Sequence, residues 1–276
     1  MGRIESLSIL ANGGGNDLLS QKYGAVIESY VPNFLSSRLK NQSLSGDPST
    51  GSVEAKRFMN IQSQEYGTAR TANSGQKTKA ESVNIQININ KELVEEIEEK
   101  DTRLYGVDGL IDRRINEHML SYETELETTF LETLYNDATE FASTGDIAKD
   151  IDNLIVKLSS VRNDFVRGVP KNMMEIVCSP EKYAELRQYL DTLTTRPNID
   201  TAVEEIAKYH GVRVSESIFL PEGAGSVITA LGSVAMPVIN SVMDTAKVQQ
   251  SDAYTFGLFY YYGVGTVTPD LIFKVA

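Results

Sequence analysis

Residues 77–101 read KTKAESVNIQININKELVEEIEEKD, and the stretch changes character halfway. Val83, Ile85, Ile87 and Ile89 alternate with Asn84, Gln86, Asn88 and Asn90. Strict alternation is the pattern of a strand with one buried face. From Glu92 onward, Glu92, Glu95, Glu96, Glu98, Glu99 and Asp101 stand against Lys100 alone. A one-faced strand, preceded by lysines and followed by carboxylates, marks a boundary between two structural settings.

Working outward, VEAKRFMNIQ (53–62) is a second β-leaning run, separated from the first by the polar stretch SQEYGTARTANSGQKTKA (63–80). A connection of that length is uncommon inside a compact domain. The two runs therefore predict a long two-stranded loop that projects from the body. Residues 52–81 carry Lys56, Arg57, Arg70, Lys77 and Lys79 against Glu54, Glu65 and Glu81, a local reversal in a chain of net charge −12. A positive arm and a negative patch on identical chains fit head-to-tail contact that closes into rings. A lone hairpin is marginal in water, so a long one needs a neighbour to lie on. The expected contact sets Lys77 and Lys79 of one copy on the acidic run of the next, where Glu92, Glu95, Glu96, Glu98 and Glu99 lie. The plainer alternative is that both runs are merely solvated.

Downstream, Val107, Ile111, Ile115, Met119, Tyr122, Leu126, Phe130 and Leu134 recur at intervals of three and four, predicting one long helix over about 106–141. Its other side is acidic, with Glu123, Glu125, Glu127, Glu132, Asp137 and Glu140, and reads as a solvated or partner-facing surface. A second helix is expected from about Asp146 to Phe165, closed by Gly168 and Pro170. MMEIVC then reads as a buried strand, with Ser179 as N-cap and Pro180 as first residue of a helix. A further helix over 201–210, ending at Gly211, leads into the strand VRVSES, and the aromatic tail from Ala253 is more strand. The order predicts an α+β fold. Residues 1–24, with NGGGND at 12–17, read as an arm that frays unless something ties it down. Pro32 disfavours helix at Val31.

Composition excludes several classes. A hydrophobic share of 41% over 276 residues is enough for a real core, and the net charge of −12 argues against a general nucleic-acid binder. Cys178 is the sole cysteine, so no internal disulfide can form and a reducing compartment fits. The uncharged run 223–243 is broken by Gly225, Gly232, Pro237 and Asn240, and reads as buried strands and turns instead of a membrane helix. The two histidines, His118 and His210, have no ligand or nucleophile nearby in sequence. His118 lies beside the apolar stripe and His210 at a helix end, so both read as structural. Cys178 reads as a small buried hydrophobe. NGGGND lacks the Gly-Lys-Ser/Thr of a phosphate loop. No catalytic residue, cofactor or metal is expected.

In order along the chain, RFMNIQSQEYGTARTANSGQKTKAESVNIQINI resembles the extended loop of tailed-bacteriophage major capsid proteins, the Hong Kong 97 fold family. KELVEEIEEKDTRLYGVDGLIDRRINEHMLSYETELETTFL resembles the lead-in and spine helix of that family's peripheral domain. MEIVCSPEKYAELRQYL and IAKYHGVRVSESIFLPEGAGS resemble its axial domain, and YYGVGTVTPDLIFKV its closing strand. The resemblance implies an N-terminal arm (1–42), an extended β-loop (43–90), a peripheral domain (91–170, completed by 252–276) and an axial domain (171–251).

By the same resemblance the protein is structural and not an enzyme. Pentamers and hexamers build an icosahedral shell around packaged double-stranded DNA, assembled in the host cytoplasm, with portal, decoration and separate scaffolding proteins as partners and no membrane. Some relatives cross-link a loop lysine to an asparagine; Lys77 and Lys79 lie in the loop, but no asparagine partner matches, so no cross-link is expected. An encapsulin-like compartment shell and a cytoplasmic α+β enzyme are the alternatives.

Overall fold

The apolar stripe of the long helix organises the molecule. In the computed structural model, which describes residues 15–31, 34–67, 77–193, 199–200, 205–206 and 208–275, all eight predicted stripe residues from Val107 to Leu134 are buried. Helix α1 spans Gly15–Tyr30, α2 Leu35–Leu39, α3 Thr102–Asn136, α4 Ile147–Ser160 and α5 Pro180–Thr192. The main strands are β1 Ser52–Phe58, β2 Ala80–Gln86, β3 Ile89–Ile97, β4 Thr139–Phe141, β5 Met174–Cys178, β6 Lys208–Tyr209, β7 Val212–Glu216, β8 Ser226–Ala230, β9 Val238–Val242, β10 Tyr254–Tyr262 and β11 Ile272–Val275. The fold is α+β, as expected. Among the described residues no helix is long and apolar enough to cross a membrane.

Two large cores share the chain. The first forms where the α3 stripe packs on β10, which pairs with β3 on one side and β9 on the other. The second lies under the six-stranded sheet β4–β11–β8–β5–β7–β6, covered by α4 and α5. These sheets cut across the division expected from sequence. Helix α4 and strand β4, assigned to 91–170, belong to the second core; β9, assigned to 171–251, pairs in the first sheet. Residues 252–276 are split, with β10 in one sheet and β11 in the other.

Short α2 joins the two cores. The Ser36 backbone N–H donates to Glu127 of α3 at 2.9 Å, and its hydroxyl donates to the same carboxylate oxygen. Two residues on, the Arg38 guanidinium grips Glu175 of β5. Glu127 is thus buried, not solvent-facing as the acidic pattern suggested. Burial pushes its carboxyl above the usual range, against the pull of the Ser36 hydrogen bonds.

Four other expectations are corrected. Residues 15–24, read as part of a loose arm, are helical; Leu19 and Tyr23 bury against α3, and the helix stops before Pro32. Helix α3 ends at Asn136, and 139–141 turn into a strand; near its start, Gly106 breaks the helix with φ of 73°. Helix α4 ends at Ser160, so Val161 and Phe165 lie in the following loop. The helix expected over 201–210 is replaced, where described, by strand pairs at 199–200 with 205–206 and at β6 with β7. His210 and Gly211 both have positive φ, 48° and 90°, and form the two-residue corner of the β6–β7 hairpin. Gly211 had signalled a helix end, but the same residue serves a hairpin corner equally well.

Candidate assembly surfaces

The predicted loop is a hairpin. β1 pairs antiparallel with β2 in the register Ser52↔Gln86 to Phe58↔Ala80. Alternation turns Val53, Ala55 and Ile85 to one face, where they bury against Ala235 and Val267 in a third, smaller core. The polar partners Asn84 and Gln86 face outward, so the reading of a one-faced strand holds for this half.

The alternating run 83–90 is not one strand. It leaves the hairpin at Gln86, crosses at Ile87–Asn88, and enters a different sheet at Ile89, opposite Tyr262. The crossing is tight. A Cβ on Gly263 would sit 1.9 Å from the Gln86 carbonyl oxygen, so only glycine lets the two backbones approach.

Beyond this base, the hairpin is fastened to its own body by polar contacts. Arg57 pairs with Asp270 at 2.9 Å and lies over the Phe165 ring at 4.3 Å. The Asn60 N–H donates to the Asp164 carbonyl at 2.7 Å, and Arg167 donates to the Ile61 carbonyl at 2.6 Å. Away from the base, large apolar side chains are exposed: Phe58 is 60% exposed, Ile61 57% and Tyr66 93%. Lys77 and Lys79 are exposed on the returning leg, and Lys56 pairs with its neighbour Glu54. Arg70 lies outside the described residues.

The acidic run is sorted by the pleat of β3. Glu92 and Glu96 point outward and are exposed, with Val94 between them. Glu95 points the other way, toward α3, where Arg114 holds it through Nε at 2.6 Å and a second guanidinium hydrogen bond. That contact holds the Glu95 carboxyl below its ordinary range. Glu98 pairs with Lys100, and Glu98 and Glu99 are half-buried at the β3–α3 turn. Of the predicted patch, then, Glu92 and Glu96 are the carboxylates most open to a partner. Their separation from Glu95 was legible in principle, since residues two apart share a strand face.

The remaining candidates are structural. Cys178 is fully buried, and burial pushes its thiol up to about 11, far from the thiolate a nucleophile requires. Ser179 caps α5 as expected, accepting from the Lys182 N–H. No group of three or more His, Cys, Asp or Glu that could hold a metal is found among the described residues.

No family model and no curated protein matches this sequence. Solved structures do. The capsid of cyanophage P-SCSP1u aligns over 88% of this chain and 87% of its own, at 12% identity and a TM-score of 0.60. A chain of Mycobacterium phage Che8 aligns over 82% and 84%, at 16% identity and a TM-score of 0.59. The mature capsid of bacteriophage PhiM1 aligns over 86% and 83%, at 14% identity and a TM-score of 0.56. The chain has the Hong Kong 97-type capsid fold. The likeness covers more than four-fifths of both chains in each pair. At such low identity it is the fold that is shared, and the residues that join copies must be argued from this chain itself.

Proposed function

We propose that this chain is a shell-forming head protein, a major capsid protein whose copies assemble into pentamers and hexamers of an icosahedral shell around packaged double-stranded DNA. The observation that carries this reading is the capsid fold over more than four-fifths of the chain. The exposed apolar end of the hairpin supports it, because Phe58 and Ile61 are largely exposed within one copy and a neighbouring copy would cover them. The role is structural and not catalytic. A net charge of −12 suits a container that must not grip its DNA. The shell forms in the host cytoplasm, with scaffolding, portal and decoration proteins as separate partners.

Within that shell, the hairpin of one copy lies on its neighbour, with Lys77 and Lys79 facing Glu92 and Glu96 and the turn carrying Glu98 and Glu99. Arg57 and Lys56 stay with their own chain, as does Glu95.

Electron microscopy of the purified protein tests the main reading: closed shells are expected, and a persistent monomer or small oligomer overturns it. The contact is tested by reversing Lys77 and Lys79 to Glu, which should block assembly. Placing Lys at Glu92 and Glu96 in that background should partly restore it, whereas normal shells from the double reversal would refute the pairing.

A further inference from the structure

Helix α1 is held to the molecule through a buried histidine that has one satisfied nitrogen and one orphan. His118, on α3, is 4% exposed. Its ring lies between those of Tyr23 on α1 and Phe256 on β10, stacked at centroid distances of 6.1 and 5.4 Å. Nδ1 lies 2.6 Å from the Tyr23 hydroxyl, while Nε2 has no hydrogen-bond partner. The nearest carboxylate oxygen, on Glu95 of β3, is 3.6 Å from Nε2, beyond hydrogen-bond reach. Glu95 is already committed to Arg114.

We propose that His118 is an acid-sensitive latch: a proton taken up by its ring loosens helix α1 from α3 and β10. The inference rests on contacts within one copy and stands apart from the shell assignment.

The groups around the ring argue for release over tightening. From α1 comes Tyr23, which burial keeps protonated. With a neutral ring, the Tyr23 O–H can donate to Nδ1. A protonated ring must donate from both nitrogens, so the Tyr23 hydrogen loses its acceptor inside an apolar slot. From β3 comes Glu95, which attracts the proton, but from α3 itself comes Arg114, which repels it, with Glu117 adding a further attraction. Strand β10 offers Phe256 and no charged residue at all. Burial of the charge outweighs the two carboxylates, and the ring is held below its ordinary value.

The sign follows. A histidine whose folded value lies below its unfolded one contributes stability that is complete above about pH 6.5 and is lost as the pH falls toward the folded value. Of the elements meeting at the ring, α1 is the one that yields. β10 is paired on both sides, and β3 pairs with it along nine residues. Helix α1 is tied by the fully buried Leu19 and Tyr23, by Lys22 to Asp108 and Asp112, and by Asn16 to Asp244 and Thr245. The lowest-cost opening is the one that breaks the fewest contacts.

The test uses the full chain and amide hydrogen exchange at pH 7.5, 6.5 and 5.5, corrected for chemical exchange. Protection across 15–30 should fall by about tenfold per pH unit below about 6.5, the limit for uptake of one proton. His118→Gln should flatten that dependence, and His210→Gln should leave it intact. Equal pH dependence in the wild type and His118→Gln overturns the proposal. Should His118→Gln fail to fold, NMR titration of the two histidine rings in the wild type decides. A His118 ring titrating below about 6.5, with protection falling across the interval between that value and about 6.5, supports the latch; titration at or above about 6.5 refutes it.

Discussion

The two ends of the hairpin are built from the same strands and yet obey opposite rules. At the base, Val53, Ala55 and Ile85 are buried against Ala235 and Val267, and Gly263 passes the Gln86 carbonyl with no room for a methyl group. At the far end, Phe58, Ile61 and Tyr66 are open to solvent, and basic residues replace the apolar ones on the returning leg. The base looks like the interior of a folded protein; the far end looks like half of an interface. A hairpin fixed at one end and unmet at the other can carry its exposed surface to a definite place on another molecule.

The sharpest way to break this contrast is at the base. Gly263→Ala places a Cβ 1.9 Å from a backbone oxygen, a contact that no side-chain rotation relieves. Either the crossing at Ile87–Asn88 shifts or β10 does, and β10 is central to the first sheet. Chemical denaturation should show a loss of about 3 kcal/mol, at the upper end for overpacking. A loss under about 0.5 kcal/mol, typical of a surface change, would mean the base is not fixed.

Between base and far end sits Arg57, which pairs with Asp270 and covers Phe165. Arg57→Ala removes a largely buried cation and leaves the Asp270 carboxylate without it, while Asn163 still donates to that carboxylate. Destabilisation of about 1–3 kcal/mol is expected from the same denaturation measurement. Hydrogen exchange should place the loss in the β1–β2 hairpin, with α3 unaffected. Uniform loosening would show that Arg57 supports the whole body and not the hairpin's attachment.

How much of this was legible depended on whether the local pattern changed where the structure changed. The α3 stripe was readable because one periodicity runs unbroken from Val107 to Leu134 and one core receives it. Alternation across 83–90 reads as a single strand because it continues through the bend at Ile87–Asn88; the change of sheet depends on Gly263, far away in sequence. A glycine after a short polar–apolar run, as at His210–Gly211, suits a helix end and a hairpin corner alike, and only the pairing of Tyr209 with Val212 distinguishes them. The charge reversal marks the hairpin and β3 in the sequence, but two of its members turn inward for reasons held elsewhere in the chain: Arg57 meets Asp270, and Glu95 meets Arg114. Glu127 could not be placed at all without Ser36, ninety-one residues earlier.

The smallest expected effect on the chain itself is at the far end, and it is the most telling. Phe58→Ser with Ile61→Ser removes two apolar side chains that are 60% and 57% exposed and contribute little to either core. Surface substitutions of this kind usually change stability by less than about 0.5 kcal/mol, and replacing exposed apolar side chains relieves an unfavourable contact with water. Denaturation should therefore scarcely distinguish the double variant from the wild type. If a neighbouring copy covers this area in the proposed shell, assembly should be affected far more strongly, because each buried large side chain is worth roughly 1.5–3 kcal/mol. Light scattering under conditions where the wild type forms particles should show the variant remaining small. A variant that is both destabilised and assembly-competent would invert the contrast, placing Phe58 and Ile61 among the residues that hold the hairpin to its own chain.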